Sequence, residues 1–231
     1  MKKLLYVPII HNEADLGSLA TGIEERARAV IGASSWQKHK EIVRLYWQAI
    51  AKYWDGKDVA GIKIFQDAMA ADGEVGEKIV KSLAQDGSIN HQIIEQLLER
   101  GAKLCKTEDG ALLKEEYFLT KELAEKKSDS FRSIAHYKEQ KDRLLKARDA
   151  YMSKSINASL EEGETGVCFL GAYHQIVPNL ARDIDVIALK DPEKVRAYAQ
   201  KYISKQWERE VDRLGRYLIA PIQAEGGEKD E

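Results

Sequence analysis

Two apolar runs in this chain end in histidine at the same spacing, Pro8-Ile9-Ile10-His11 and Gly171-Ala172-Tyr173-His174. Imidazole changes charge near neutral pH, so it can take a proton from water, return one to a leaving group, or ligate a divalent metal as the neutral ring. Carboxylates stand close by. Glu13 and Asp15 follow His11, Asp67 lies near the end of another apolar run, and Glu74 comes in the polar stretch behind it. Gathered in one cleft, His11 and His174 with Glu13 would activate water as a histidine and carboxylate pair. His11, His174, Asp67 and Glu74 would make a metal-ligand set.

An arginine joins them. Ile134, Tyr137, Leu144, Leu145, Met152 and Ile156 recur at helical spacing, and Arg148 falls between Leu144 and Met152 on that apolar stripe, with Asp149 at its edge. A guanidinium aimed at a core needs a partner, so Arg148 is expected to steady a carboxylate of the site or to hold an anionic group or oxyanion of a substrate. Each residue also has a plainer explanation: strand ends often carry polar residues, acidic residues after a strand form turns, and an inward arginine can close an internal salt bridge. The paired histidines favour function.

The elements that must position these groups follow from periodicity. Residues 4 to 10 are too short an apolar run for a helix and predict a buried strand. Asp15 or Ser18 would cap a helix to about residue 31. Ser34 or Ser35 would cap the next, where Trp36, Val43, Trp47, Ile50 and Trp54 share a stripe with His39, a histidine expected to pack beneath it. Gly61 to Ala70 predicts a second strand ending at the loop Asp72-Gly73-Glu74. A helix from Ile89 to Arg100, capped by Ser88 and closed by Gly101, leads into a strand at 102 to 106. His91 and Glu95 on that helix are expected on a solvated face. Residues 107 to 130 predict a loop and a short helix around Lys114 to Tyr117, residues 131 to 160 one long helix, and Val167 to Tyr173 a strand. Pro178 to Arg182 suggests a short helix and Asp185 to Leu189 a last strand. Asp191-Pro192 opens a final helix to about Ile219, stopped by Pro221.

Helices alternating with strands predict an α/β fold, a mixed and mainly parallel sheet flanked by long helices, with residues 1–220 as one domain and 221–231 as an acidic, glycine-containing disordered tail. The chemistry would then lie at the carboxyl ends of the strands. Composition bounds the rest. The chain has 231 residues, with 36 Lys and Arg against 38 Asp and Glu and a net charge of −2, which gives no electrostatic reason to expect nucleic acid or an anionic membrane as partner. No apolar run is long enough to span a bilayer. Cys105 and Cys168 have neither metal nor disulfide-framework spacing, which suits a reducing compartment such as the cytoplasm, and Cys168 reads as a buried thiol. Phosphate loops, G-x-S-x-G elbows and H-E-x-x-H helices are absent from the sequence. Aromatic helix faces around Trp36 to Trp54, or at Trp207, would serve either as core or as the surface of a homo-oligomer.

The segment Arg148-Asp149-Ala150-Tyr151-Met152, then Ile156, Leu160, Gly163 and Gly166-Val167-Cys168-Phe169-Leu170-Gly171-Ala172-Tyr173-His174, resembles the C-terminal motif of the TraB, Tiki, ChaN and erythromycin-esterase group. In that group an R-D-x-x-M helix leads into a strand ending in G-x-x-H. The strand ending at His11 is similar to the group's first motif, with Pro8 where the group carries glycine, and Gln66-Asp67 stands where related sequences tend to carry Glu. The resemblance implies a mixed α/β fold with a shared cleft, and His11, Arg148 and His174 at motif positions. For several members it implies hydrolysis of peptide or ester bonds, metal-dependent in Tiki proteins, and for ChaN-like members haem binding. The expectation is therefore a hydrolase of a small-molecule or peptide substrate, with or without a divalent metal. The alternatives are a haem or other ligand binder using a histidine or Tyr173 as axial ligand, and a regulatory or interaction protein that has kept the fold without the chemistry.

Overall fold

The computed structural model describes residues 1–15, 20–125, 131–203 and 208–222. Among the described residues five strands form one sheet: β1 (Lys2–Ile9), β2 (Lys63–Gln66), β3 (Lys103–Cys105), β4 (Thr165–Gly171) and β5 (Ile184–Ala188), in the order β3-β2-β4-β1-β5. Every pairing is parallel, so the sheet is wholly rather than mainly parallel. The flanking helices are α1 (Ala20–Ile31), α2 (Ala33–Tyr53), α3 (Gly73–Gln85), α4 (Ile89–Glu99), α5 (Gly110–Glu125), α6 (Phe131–Ser159), α7 (Pro192–Ile203) and α8 (Glu208–Ile219). Among the described residues no helix is long and apolar enough to cross a membrane.

Helices cover both faces, which is why β1 and β4 read as continuous apolar runs rather than alternating ones. On one face Leu5, Val7, Ile9, Ile64, Val167 and Phe169 meet the aromatic stripe of α2 and residues of α3, α4, α7 and α8. On the other, Leu4, Tyr6, Phe65, Cys168 and Leu170 meet Met152, Ile156 and Leu160 of α6 and its approach to β4. The connections after β1 and β2 therefore run over the first face, and those after β3 and β4 over the second. β4 lies between β2 and β1, so the chain parts in opposite directions at the carboxyl ends of these three strands. This is the topological switch point at which open parallel sheets form a crevice.

Several elements differ from their sequence expectation. Gly32, at φ 88°, precedes α2, so Ser34 and Ser35 lie inside the helix rather than capping it. The stretch Asp72-Gly73-Glu74 starts α3 instead of forming a loop. The charged stretch read as a loop and short helix holds the 16-residue α5, whose largely exposed surface leaves little apolar periodicity to detect. The last helix is two: Tyr198 of α7 packs against the Gly215 position of α8 and Lys201 pairs with Glu210, so the chain doubles back. His91 is buried, not solvated. Ser18, Trp207 and residues 223–231 of the tail fall outside the described residues.

Pro8 sits in a central strand without costing a ladder bond. The Tyr6 carbonyl accepts from the Leu189 amide, so Tyr6, and Pro8 two residues on, face β5, which ends at Ala188. The Pro8 carbonyl is taken by the Tyr46 hydroxyl, and the Ile10 carbonyl by the Trp47 indole at 2.9 Å. Two aromatic residues of α2 thus fix the end of β1 just before His11.

Candidate functional site

The Gly171 to His174 spacing is a tight turn. The His174 amide donates to the Gly171 carbonyl at 3.0 Å and folds the imidazole back over the end of β4. A side chain at Gly171 would crowd what lies there: a Cβ would stand 3.1 Å from Asp67 Oδ2 and 3.5 Å from His174 Cδ2. The Gly171 amide instead donates to Asp67 Oδ2 at 2.9 Å. Asp67 reaches this position because β2 stops at Gln66 and the next residue but one, Ala68, adopts φ 61°, a left-handed conformation costing a residue with Cβ about 1 kcal/mol. Arg196 of α7 holds the turn from outside by donating twice to the Ala172 carbonyl.

α6 delivers two neighbouring residues in different directions. Arg148 Nη2 donates to Asp67 Oδ1 at 2.6 Å and to Glu108 Oε1, Nε donates to Glu108, and Nη1 donates to Glu116 of α5 at 2.5 Å. Asp149 accepts from His174 Nδ1 at 2.6 Å and from the Gln175 amide at 3.0 Å. Its other neighbour in the motif, Met152, is fully buried in the second-face core and seats the helix. His174 is therefore sandwiched, with Nε2 3.4 Å from Asp67 Oδ2 on its far side.

These groups are almost completely withdrawn from water: Glu108 is fully buried, and the Arg148, His174 and Asp149 side chains are each less than a tenth exposed. Burial alone would drive His174 neutral, but Asp149 and Asp67 outweigh it and push its pKa up to about 9. Burial opposes ionisation of Asp67 too, yet His174, Arg148 and the Gly171 amide hold its carboxyl well below the usual range. Glu108 differs: burial keeps its carboxyl above the usual value even with Arg148 beside it. Four carboxylates thus surround two cations, and the guanidinium is occupied by three of them. Arg148 is a positioning residue here, not a free clamp for an anion.

His11 leaves β1 beside this cluster, since Ile9 pairs with Gly171 in the ladder. Unlike His174 it is half exposed, at 51% of its side chain, with Nδ1 3.8 Å from Asp15 Oδ2. Burial lowers its pKa, but Asp15 and, further off, Asp67 more than reverse this and leave it raised. Asp15 is itself held by the Asn12 amide at 2.8 Å and the Ser88 hydroxyl. Ser88 in turn contacts His91 Nδ1 at 2.7 Å. An ionised carboxylate only accepts, so the Ser88 proton goes to Asp15 and the His91 ring must donate to Ser88.

The structure thus brings together His11, His174, Arg148 and Asp67. It leaves Glu13 apart, paired with Lys40 at 3.1 Å, and Glu74 on the first turn of α3, 90% exposed and 3.8 Å from Lys78. Tyr173 is half exposed with Arg196 over its ring. Asp15, named with Glu13 after His11, is the carboxylate that backs it, and Glu108 and Asp149 complete the site without having been singled out for it. Glu108 lies just past a strand, as His11, Asp67 and His174 do, and that position was its signal.

Fold and site together define an α/β protein with a parallel sheet and a buried ionic cluster at its switch point. Compared with protein-family profiles, curated proteins and solved structures, the chain matches none.

Proposed function

We propose that the chain is a hydrolase of ester or peptide bonds in which the two imidazoles have different duties. His174, charged and enclosed by Asp67 and Asp149, cannot serve as base at neutral pH. It supplies fixed positive charge near the reacting carbonyl. His11 is half exposed and backed by Asp15, so it can reach water and is the base that takes a proton from the attacking water and returns it to the leaving oxygen or nitrogen. The observation that carries this reading is the placement of a half-exposed, carboxylate-backed histidine next to a buried histidine held between Asp67 and Asp149 at the switch point. Burying so many charges carries a desolvation cost that well-packed apolar residues would avoid. The motif resemblance to TraB, Tiki and erythromycin-esterase proteins supports the same reading. The test is hydrolysis of a panel of nitrophenyl esters and fluorogenic peptides by wild type and His11→Ala. Turnover lost in the variant, with its circular dichroism unchanged, is expected. Equal turnover in both, or none in wild type, overturns it and favours a regulatory or interaction role.

A second reading, metal-assisted hydrolysis, has its own observation: ligand atoms of Asp67, Glu108 and His174 lie within 4.8 Å of one another. Two carboxylates and an imidazole suit a divalent ion. Arg148 Nη2 already spans Asp67 and Glu108, so an ion there would displace that contact and the His174 proton. Metal analysis of purified protein, repeated on Asp67→Asn, separates the two readings. Haem has less support, since Tyr173 faces Arg196 rather than an apolar slot.

A further inference from the structure

Beside His11 lies an open cavity of about 550 Å³ that the ionic cluster does not line. Its walls come from the loop after β1 (His11, Asn12, Glu13, Ala14), from the first three turns of α2 (Trp36, His39, Lys40, Val43, Arg44) and from the turn between α3 and α4 (Asp86, Gly87, Ile89). The volume falls within the range of small-molecule sites.

The cavity is rigidly framed. Asn12 Nδ2 donates to the Gly87 carbonyl at 3.1 Å and Ser88 to Asp15, which ties the first loop to the α3 to α4 turn. On the α2 side, Trp36 and His39 have ring centroids 5.2 Å apart, and His39 stacks on Tyr202 at 4.5 Å while its Nδ1 meets the Tyr198 hydroxyl at 3.0 Å. Burial pushes the His39 pKa down to about 4, so this aromatic wall is uncharged.

The basic residues at the rim already have partners. Lys40 pairs with Glu13 at 3.1 Å and Arg44 with Glu41 at 2.6 Å, and Asp86 also lines the cavity. The walls therefore offer aromatic and aliphatic surface, with two basic and two acidic residues at the rim besides His11.

We propose that this cavity is a substrate subsite of the hydrolase and takes a neutral aromatic ring attached to the ester or amide group that His11 attacks. The inference rests on the hydrolase reading for its purpose but not for its test. The aromatic wall of Trp36 and His39 favours a flat apolar ring, and a charged group would lose hydration against it.

The experiment is nuclear magnetic resonance titration of the full-length chain with benzamide, benzoate and benzamidine, following the Trp36 indole N–H signal assigned through Trp36→Phe. Benzamide is expected to shift that signal and to bind about tenfold more tightly than either charged probe. Ala14→Trp, a substitution at a partly exposed loop position that fills the cavity, should abolish the shift. Absence of any benzamide effect on Trp36, equal binding of the charged probes, or an unaltered shift in a folded Ala14→Trp variant each overturns the subsite. Benzamide binding without ester hydrolysis would leave the subsite standing and remove the hydrolase. Hydrolysis with no preference for phenyl over methyl esters would do the reverse.

Discussion

Replacing Arg148 with methionine removes one guanidinium from contact with Asp67, Glu108 and Glu116 while keeping most of the buried stem. Glu116 is 30% exposed and rehydrates, so little is lost there. Asp67 at 12% and Glu108 at 0% exposure cannot, and breaking a buried network at one partner costs about 3–5 kcal/mol. For a chain of this size that is a fall in Tm of about 6–20 °C. The origin of the loss has a pH signature. With Arg148 present, the lowered Asp67 carboxyl contributes stability above its unfolded value of 3.8, lost as pH falls through the folded value. Without Arg148, Asp67 and Glu108 sit close together in low dielectric and take up a proton instead. The deficit of Arg148→Met should therefore be largest near neutral pH and shrink towards about pH 5. Arg148→Met with Glu108→Gln should recover part of it. Urea unfolding followed by far-ultraviolet circular dichroism at both pH values measures this. A deficit below about 1 kcal/mol at neutral pH, or one that does not change with pH, refutes the argument.

Further expectations follow from the same geometry. His174 is raised from 6.5 to about 9, so its contribution is complete below 6.5 and is lost as pH rises through 9. That loss is worth about 3 kcal/mol, and stability curves of His174→Gln should lack it. Gly171→Ala sets a Cβ 3.1 Å from Asp67 Oδ2, and calorimetry should find it destabilised by about 1 kcal/mol. Ala68→Gly relieves the left-handed backbone at φ 61° and should raise stability by about 0.5–1 kcal/mol in the same assay. Native protein should react with a thiol reagent at the half-buried Cys105 only, Cys168 becoming reactive on unfolding; mass spectrometry showing Cys168 labelled in native protein would contradict its burial.

Much of the site was legible because its residues break local patterns. Arg148 stood out as a charge on an apolar stripe, and the structure buries it as the stripe requires. His11 and His174 stood out because both follow buried strands, and parallel pairing of β1 with β4 brings those ends together. Glu108 escaped because β3 has three residues and is followed by a charged stretch whose helix, α5, is too exposed to leave a periodic stripe. Asp149 escaped because a helix edge looks solvated until the turn after β4 folds His174 onto it. The shortness of β2 was hidden because Ala68 shows nothing in its side chain of the φ it adopts. Glu74 followed a strand in sequence but begins a helix that carries it to the surface. The strand-end rule therefore holds only where the chain turns back toward the sheet.

The two-imidazole division of labour is tested most directly by resolving each histidine ring in nitrogen-15 spectra across pH. The account predicts that His174 keeps both ring protons through pH 8, consistent with its pKa of about 9, while His11, as the base, gives one up at a lower pH than His174 does. A His174 ring neutral at pH 7, or one titrating together with His11, would contradict it.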